Sequence, residues 1–284
     1  MLSLAADGAC GSPRVAALTC QDALRAAGAE VSLVTAGSDA EVDEAITVLE
    51  PGRKRARVVV ACATDSELRA VLRRLVRRYA PTPGKRPDDL PADRTLPDLP
   101  PIGVLPLDPS GKDDLPARLG LPRDPGAVAR AVIGGQVRRL DLFRTDAGSV
   151  TLHGALLGGA TDDGQAVAWH GRIDVDDACL SDGSEPILAC AVVNAGASAV
   201  DGLPLVVAAD PADGRLDVAV AVPVRTRSPL RRAKVRIEVR RARGRAVAVT
   251  PREDVPYVDD GVTGTLTRKR TWWMERAAWA VYTP

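Results

Sequence analysis

The chain has 284 residues, of which 45% are apolar and 26% charged, with a net charge of +1. This length leaves room for two domains of ordinary size, each with its own core. The near-zero charge excludes steering of the whole molecule toward a polyanion, so any basic surface has to be local.

Leu2 to Ala5 reads as a short first strand, followed by a turn at 7–13. Pro13 to Ala27 reads as a helix with Val15, Leu18, Ala23 and Leu24 on one side and Gly28 as its C-cap. A second strand is expected over Glu30 to Val34. A second helix is expected over Asp39 to Leu49, with Val42, Ala45, Ile46 and Leu49 on one face. Val58 to Cys62 is a short run rich in β-branched residues, as expected of a parallel strand covered on both faces. Thr64, Asp65 or Ser66 is placed to cap the next helix, whose Leu68, Val71, Leu72 and Leu75 form an apolar stripe. Arg69, Arg73, Arg74, Arg77 and Arg78 cover its other side. The β-α-β-α-β order implies a parallel sheet with right-handed crossovers.

Residues 80–101 hold seven prolines and are expected to form a mobile surface loop. Ile102 to Leu107 resumes as a strand, and Asp124-Pro125 opens a helix over Pro125 to Gly134. From about residue 141 the pattern changes to valine-rich alternating segments separated by Asp-Gly turns at 163, 182, 201, 213 and 260. Strands are expected over 166–175, 187–193, 205–209, 216–222, 233–240, 246–250 and 272–282. The fold class is therefore α/β plus β: a parallel α/β domain over 1–140 and an antiparallel β-sandwich domain over 141–284. Trp272 and Trp273 are neighbours on one strand, so one side chain faces inward and one outward.

Aromatics make up only 3% of the chain, with one phenylalanine, Phe143, so the core rests on Val, Leu and Ala. Five cysteines without a C-x-x-C spacing read as small buried hydrophobes in a reducing compartment. The N-terminus lacks the basic and apolar regions of a signal peptide. No apolar run approaches about 18 residues. The expected location is cytoplasmic, with peripheral attachment at a membrane as an extension of it. His153 and His170, the only histidines, lack any Ser-His-Asp or His-x-x-x-His spacing and take no catalytic role.

The turn after the strand at 58–62 lies where α/β proteins place ligands. Residues 58–75 resemble, without a gap, the strand, Gly-Gly-Asp-Gly-Thr turn and helix of the diacylglycerol kinase and sphingosine kinase family, which has the NAD-kinase-type fold. Further stretches resemble that family in order. Residues 101–107 match the strand before its Gly-Thr-x-Asn-Asp loop, and 113–122 match the end of that loop and the helix it opens. Residues 135–142 match the crossover, Asp213 to Val218 the Asp-Gly-x-Leu-Asp segment, and Val258 to Gly261 the start of the final Asp-Gly-Glu. The resemblance implies a two-domain lipid kinase that uses ATP and Mg²⁺ to phosphorylate a lipid hydroxyl. It implies Asp65 as general base, with helix N-cap as the alternative. It implies Asp114 near Mg²⁺ or the hydroxyl, with a helix cap as the alternative. It places Gly8, Ala63, Thr64, Ser66 and Gly111 around the nucleotide. It places Asp213 near a structural metal, with an Asp-Gly turn as the alternative.

The nucleotide motifs depart from that pattern. Ala63-Thr64-Asp65-Ser66-Glu67 stands in the place of Gly-Gly-Asp-Gly-Thr, so all three glycines are lost and an anion is added at Glu67. The N-terminal Asn-Pro-x-x-Gly loop is reduced to small residues at 6–10. The second loop, 108–114, is longer and lacks its Thr and Asn, and Val262 replaces the last carboxylate. These departures favour a degenerate pseudokinase with a binding or regulatory role. The alternative is an active kinase with an altered phosphate loop.

Residues 225–245 carry ten basic side chains against one acid, Glu238. The alternation of Val235, Ile237 and Val239 with Lys234, Arg236 and Arg240 predicts a strand that buries one face and presents cations on the other. Arg232, Lys234, Arg236 and Arg240 are the candidate anion-binding set. A solvated face is the bland alternative. An anionic membrane ranks above nucleic acid, because no aromatics are interleaved with the cations. A protein partner and a second copy of the chain complete the expected partners.

Overall fold

The computed structural model describes residues 1–4, 12–49, 56–81, 87–108, 110–161, 164–228 and 231–284. The chain divides into two compact units, 1–140 with 277–284, and 141–276. The last eight residues therefore return to the first unit, because the end of the final strand pairs there.

In the first unit, β1 (Leu2–Ser3), β2 (Val34–Thr35), β3 (Val58–Cys62) and β4 (Ile102–Pro106) form a parallel sheet in the order β2-β1-β3-β4. Val281 adds a fifth parallel strand beside Ile102. The helices are α1 (Ser12–Ala26), α2 (Asp39–Ala45, continued by a 3₁₀ turn over Ile46–Leu49), α3 (Asp65–Tyr79), α4 (Leu115–Arg118) and α5 (Pro125–Gly134). Val59 and Ala61 of β3 pack with Cys20 and Leu24 of α1 and with Val128 and Val132 of α5. The stripe on α3 is buried as expected at Leu68, Val71, Leu72 and Leu75, each contributing about 1.5–3 kcal/mol. Its polar side is fixed by ion pairs. Arg73 reaches both oxygens of Asp39 at 2.8 Å, and Arg74 Nε donates to Asp43 at 2.6 Å.

Three expectations for this unit are corrected. The strand at 30–34 is confined to Val34–Thr35, because its partner β1 offers only two residues for pairing. Val15 and Leu18 of α1 are exposed, so the buried side of that helix is the one carrying Ala17, Cys20 and Leu24. The described part of the proline-rich segment is packed: Leu90, Leu96 and Leu99 are buried, and the Leu99 N–H donates to the Ala278 carbonyl at 2.8 Å. Three leucines among the prolines supply anchors that the count of prolines concealed.

The second unit contains, in chain order, the later part of β5 (Val137–Thr145), β6 (Val150–Thr151), β7 (Gly154–Leu157), β8 (Gly159–Ala160), β9 (Ala166–Val167), β10 (Gly171–Val175), β11 (Ala178–Asp182), β12 (Ala189–Val193) and β13 (Gly196–Val200). It continues with β14 (Leu203–Ala209), β15 (Leu216–Ser228), β16 (Arg231–Gly244), β17 (Ala246–Pro251), β18 (Val255–Asp259), β19 (Val262–Leu266) and most of β20 (Arg270–Tyr282). One antiparallel sheet has the order β16-β15-β12-β7-β18-β19, and β11-β10-β17-β20 forms another. Their inner residues share one core. Ile173, Val175, Val247, Val249 and Trp272 come from one sheet, and Leu157, Cys190, Val192, Val218 and Val220 from the other. This is the expected β-sandwich. Asp201-Gly202 and Asp260-Gly261 close the hairpins β13–β14 and β18–β19 with positive φ at both residues, +49° and +78°, then +48° and +79°. That is the type I′ geometry for which Asp-Gly is suited.

Candidate functional site

The turn after β3 is built from its own side chains. Thr64 is extended at φ −134° and is the N-cap of α3: its hydroxyl accepts the Glu67 N–H at 3.3 Å and lies 2.9 Å from the Ser66 hydroxyl. Glu67 reaches back, and its Oε2 accepts the Ala63 N–H at 2.7 Å. The two bonds form a variant of the capping box in which the returning carboxylate takes the N–H one residue before the cap. Sequence reading foresaw the carboxylate of Glu67 but not its partner.

Asp65 does not cap its own helix. Both of its oxygens lie 3.0 Å from the Leu115 N–H, the first of α4. The β3–α3 turn is thereby tied to the loop after β4. Burial raises the Asp65 pKa, the Leu115 bond opposes this, and the Asp114 charge adds to the rise. Asp114 is the N-cap of α4, accepting the Ala117 N–H at 2.9 Å. Its two oxygens also take Arg123 Nη1 and Nη2 at 2.8 Å each, a bidentate pair. Arg123 additionally donates to the Asp108 carbonyl. Its role was not legible in the sequence, because nothing marks Arg123 among neighbouring arginines. Gly111 lies against this pair. A Cβ there would meet Asp114 Oδ2 at 2.3 Å and Arg123 Nη2 at 2.8 Å, so the glycine serves close approach within the loop.

The structure thus brings Ala63, Thr64, Asp65, Ser66, Gly111 and Asp114 into one connected region. Gly8 lies outside the described residues. A cavity of about 750 Å³ in this unit lies elsewhere, lined by Met1, Leu24, Arg57, Val58 and Tyr282. It does not include the Asp65 turn, where the connected polar groups lie.

In the second unit, Asp213 sits in an Asp-Gly turn. Its Oδ1 accepts the Arg215 N–H at 2.8 Å, and its Oδ2 pairs with Arg243, which also reaches Asp217 at 3.1 Å. Asp260 was expected as a turn residue and as part of the stretch that resembles the final Asp-Gly-Glu. Its buried carboxylate accepts three successive backbone N–H groups, Leu152 at 2.6 Å, His153 at 2.8 Å and Gly154 at 3.1 Å. Burial and the adjacent Asp259 push its pKa up to about 7 against those donors.

Asp114 and Asp213, which the resemblance places near metal ions, do not fit one as arranged, and Asp65, which it offers as the base, is committed as well. Asp65 is spent on Leu115, Asp114 on Arg123 and Ala117, and Asp213 on Arg243 and Arg215. Among the described residues no group of three or more His, Cys, Asp or Glu side chains converges as a metal site.

The basic strand differs from expectation. Val235 is 62% and Ile237 44% exposed, so this part of β16 buries neither face. Past Ala221, β15 has no pairing with β12, and β16 is the edge of its sheet. Arg236 is exposed, whereas Arg240 pairs with Glu185 at 2.6 Å and Glu238 at 3.1 Å. Arg232 and Lys234 are placed on β16, and their side chains lie outside the described part. Trp272 is buried, and Trp273 on the opposite face takes Arg144 over its ring at 5.5 Å, as the alternation requires.

No helix among the described residues is long and apolar enough to cross a membrane. Neither the protein-family models nor the curated proteins yield a match to the chain. Solved structures do. A diacylglycerol kinase from Bacillus anthracis str. Sterne superposes with a TM-score of 0.67 at 12% identity, covering 100% of this chain and 96% of that one. A protein from the same organism, provisionally assigned as a diacylglycerol kinase, reaches a TM-score of 0.69 at 12% identity with the same coverage. The chain has the fold of these diacylglycerol kinase structures along its whole length.

Proposed function

We propose that the chain is a lipid-kinase-type protein with a degenerate nucleotide seat, acting by binding or regulation rather than by phosphoryl transfer. One observation carries this reading: the Glu67 carboxylate occupies the Ala63 N–H at 2.7 Å. A phosphate-binding turn needs backbone N–H groups turned to the ligand and little bulk beside them, which glycine provides. Here an internal anion takes an N–H of the turn, and the Cβ atoms of Ala63, Thr64 and Ser66 stand where the resembling motif has its three glycines. A phosphate oxygen ~4 Å from Glu67 would be opposed by about 4 kcal/mol at an effective dielectric of ~20. The commitments of Asp65 and Asp114 support the same reading.

The second reading is an active kinase using ATP and Mg²⁺, with Asp65 as base and Asp114 beside it. It draws on the rise of the Asp65 pKa with burial, the direction a general base requires. The test is transfer of labelled γ-phosphate from Mg²⁺-ATP to diacylglycerol or sphingosine in mixed micelles. No lipid phosphate is expected. Turnover that disappears in Asp65→Ala would establish the kinase reading instead.

A further inference from the structure

We propose that the distal part of the β15–β16 hairpin is an arm that docks on an anionic lipid bilayer. The proposal is independent of what the Asp65 turn binds. Beyond Val222 the two strands pair only with each other, Pro223 with Ile237, Val224 with Arg236 and Arg225 with Val235. Six residues of β15, from Pro223 to Ser228, extend this ribbon by about 20 Å at the usual rise of a strand. Residues 223–237 hold six cations (Arg225, Arg227, Arg231, Arg232, Lys234 and Arg236) and no acid. The acids lie nearer the base of the hairpin, where Glu185, Glu238, Asp213 and Asp217 pair with Arg240 and Arg243. The ion pairs described therefore lie near the base, and the sequence toward the tip carries cations without an acid among them.

Cations on an edge strand also discourage pairing between sheets, and that alone would explain the arginines. It does not explain Val235 and Ile237. These β-branched side chains share the face of Pro223 and are 62% and 44% exposed. A strand protected only by charge would place polar residues there. Apolar side chains set between cations suit the boundary of a bilayer, where chains enter the acyl region while guanidinium groups meet headgroup phosphates. A nucleic-acid groove would favour stacking aromatics, and residues 223–237 contain none.

Flotation of the full chain with vesicles tests this, comparing phosphatidylcholine alone with equal parts phosphatidylcholine and phosphatidylglycerol, at low and raised salt. Binding is expected only to the anionic vesicles and is expected to weaken with salt. Arg236→Glu should lower it about thirtyfold, since it removes one cation and adds an anion. Val235→Ser with Ile237→Ser should lower it about tenfold and leave the remainder more salt-sensitive. Circular dichroism checks that each variant is folded, and Arg236→Gln provides a milder change with an intermediate loss. Equal flotation of wild type and Arg236→Glu would overturn the proposal. So would failure to float with anionic vesicles, or displacement from them by single-stranded polynucleotide at lower concentration than by soluble phosphatidylglycerol.

Discussion

Asp65 and Leu115 are joined across 50 residues of chain: both carboxylate oxygens of Asp65 lie 3.0 Å from the Leu115 N–H. The residue that a kinase reading needs as a base is thus a clasp between two loops. Asp65→Asn keeps one acceptor for that N–H and removes a partly buried charge, so it should leave stability unchanged or raise it slightly. Asp65→Ala should cost about 1–2 kcal/mol by orphaning the N–H. The pKa of Asp65 is raised in the folded chain. The folded state therefore holds its proton to higher pH than the unfolded state, and wild-type stability from this group falls as pH rises above the usual carboxylate range. The advantage of Asp65→Asn over wild type should therefore be larger at pH 7 than at pH 4 in urea titrations.

Glu67→Ala removes the acceptor for the Ala63 N–H. A loss of about 1 kcal/mol is expected, or a fall of roughly 2–4 °C in Tm. Glu67→Gln retains a carbonyl oxygen and should recover most of it in the same melts.

Asp260 carries a larger effect. With its pKa pushed up to about 7, its contribution to stability is full at low pH and is lost as pH rises toward neutrality. Asp260→Ala should flatten this dependence and cost about 3 kcal/mol, because one buried and two partly buried N–H groups lose their partner. Hydrogen exchange provides the local check: the amides of Leu152, His153 and Gly154 should exchange together and far faster in the variant.

Thiol chemistry tests burial in both units. Cys20, Cys62 and Cys190 are buried, and burial raises the Cys20 pKa to about 11 and that of Cys190 to about 12. Cys179 is exposed. Of these four, Cys179 should be alkylated first in the folded chain, with the others reacting only on denaturation.

Regular elements with strong periodicity were legible. The α3 stripe, the β3 run and the Asp124-Pro125 start of α5 lie where the spacing puts them. Strands such as Gly154–Leu157 and Gly196–Val200 were not, because small residues and glycine carry little β signal; tertiary pairing decides them. At the candidate site, residue types could be read but not their commitments. Which amide Glu67 takes, that Asp65 reaches Leu115, and that Arg123 clamps Asp114 depend on loops meeting in space. The same limit applies to β16, whose alternation implied one buried face: Val239 packs against the core, whereas Val235 and Ile237 on the same face are exposed.

In the proposed function, the Glu67 carboxylate takes the place of nucleotide phosphate at the Ala63–Glu67 turn. Calorimetric titration of the full chain with Mg²⁺-ATP measures it directly. No saturable heat is expected up to millimolar nucleotide. Saturable binding in the micromolar range that is abolished by Asp65→Ala would contradict it.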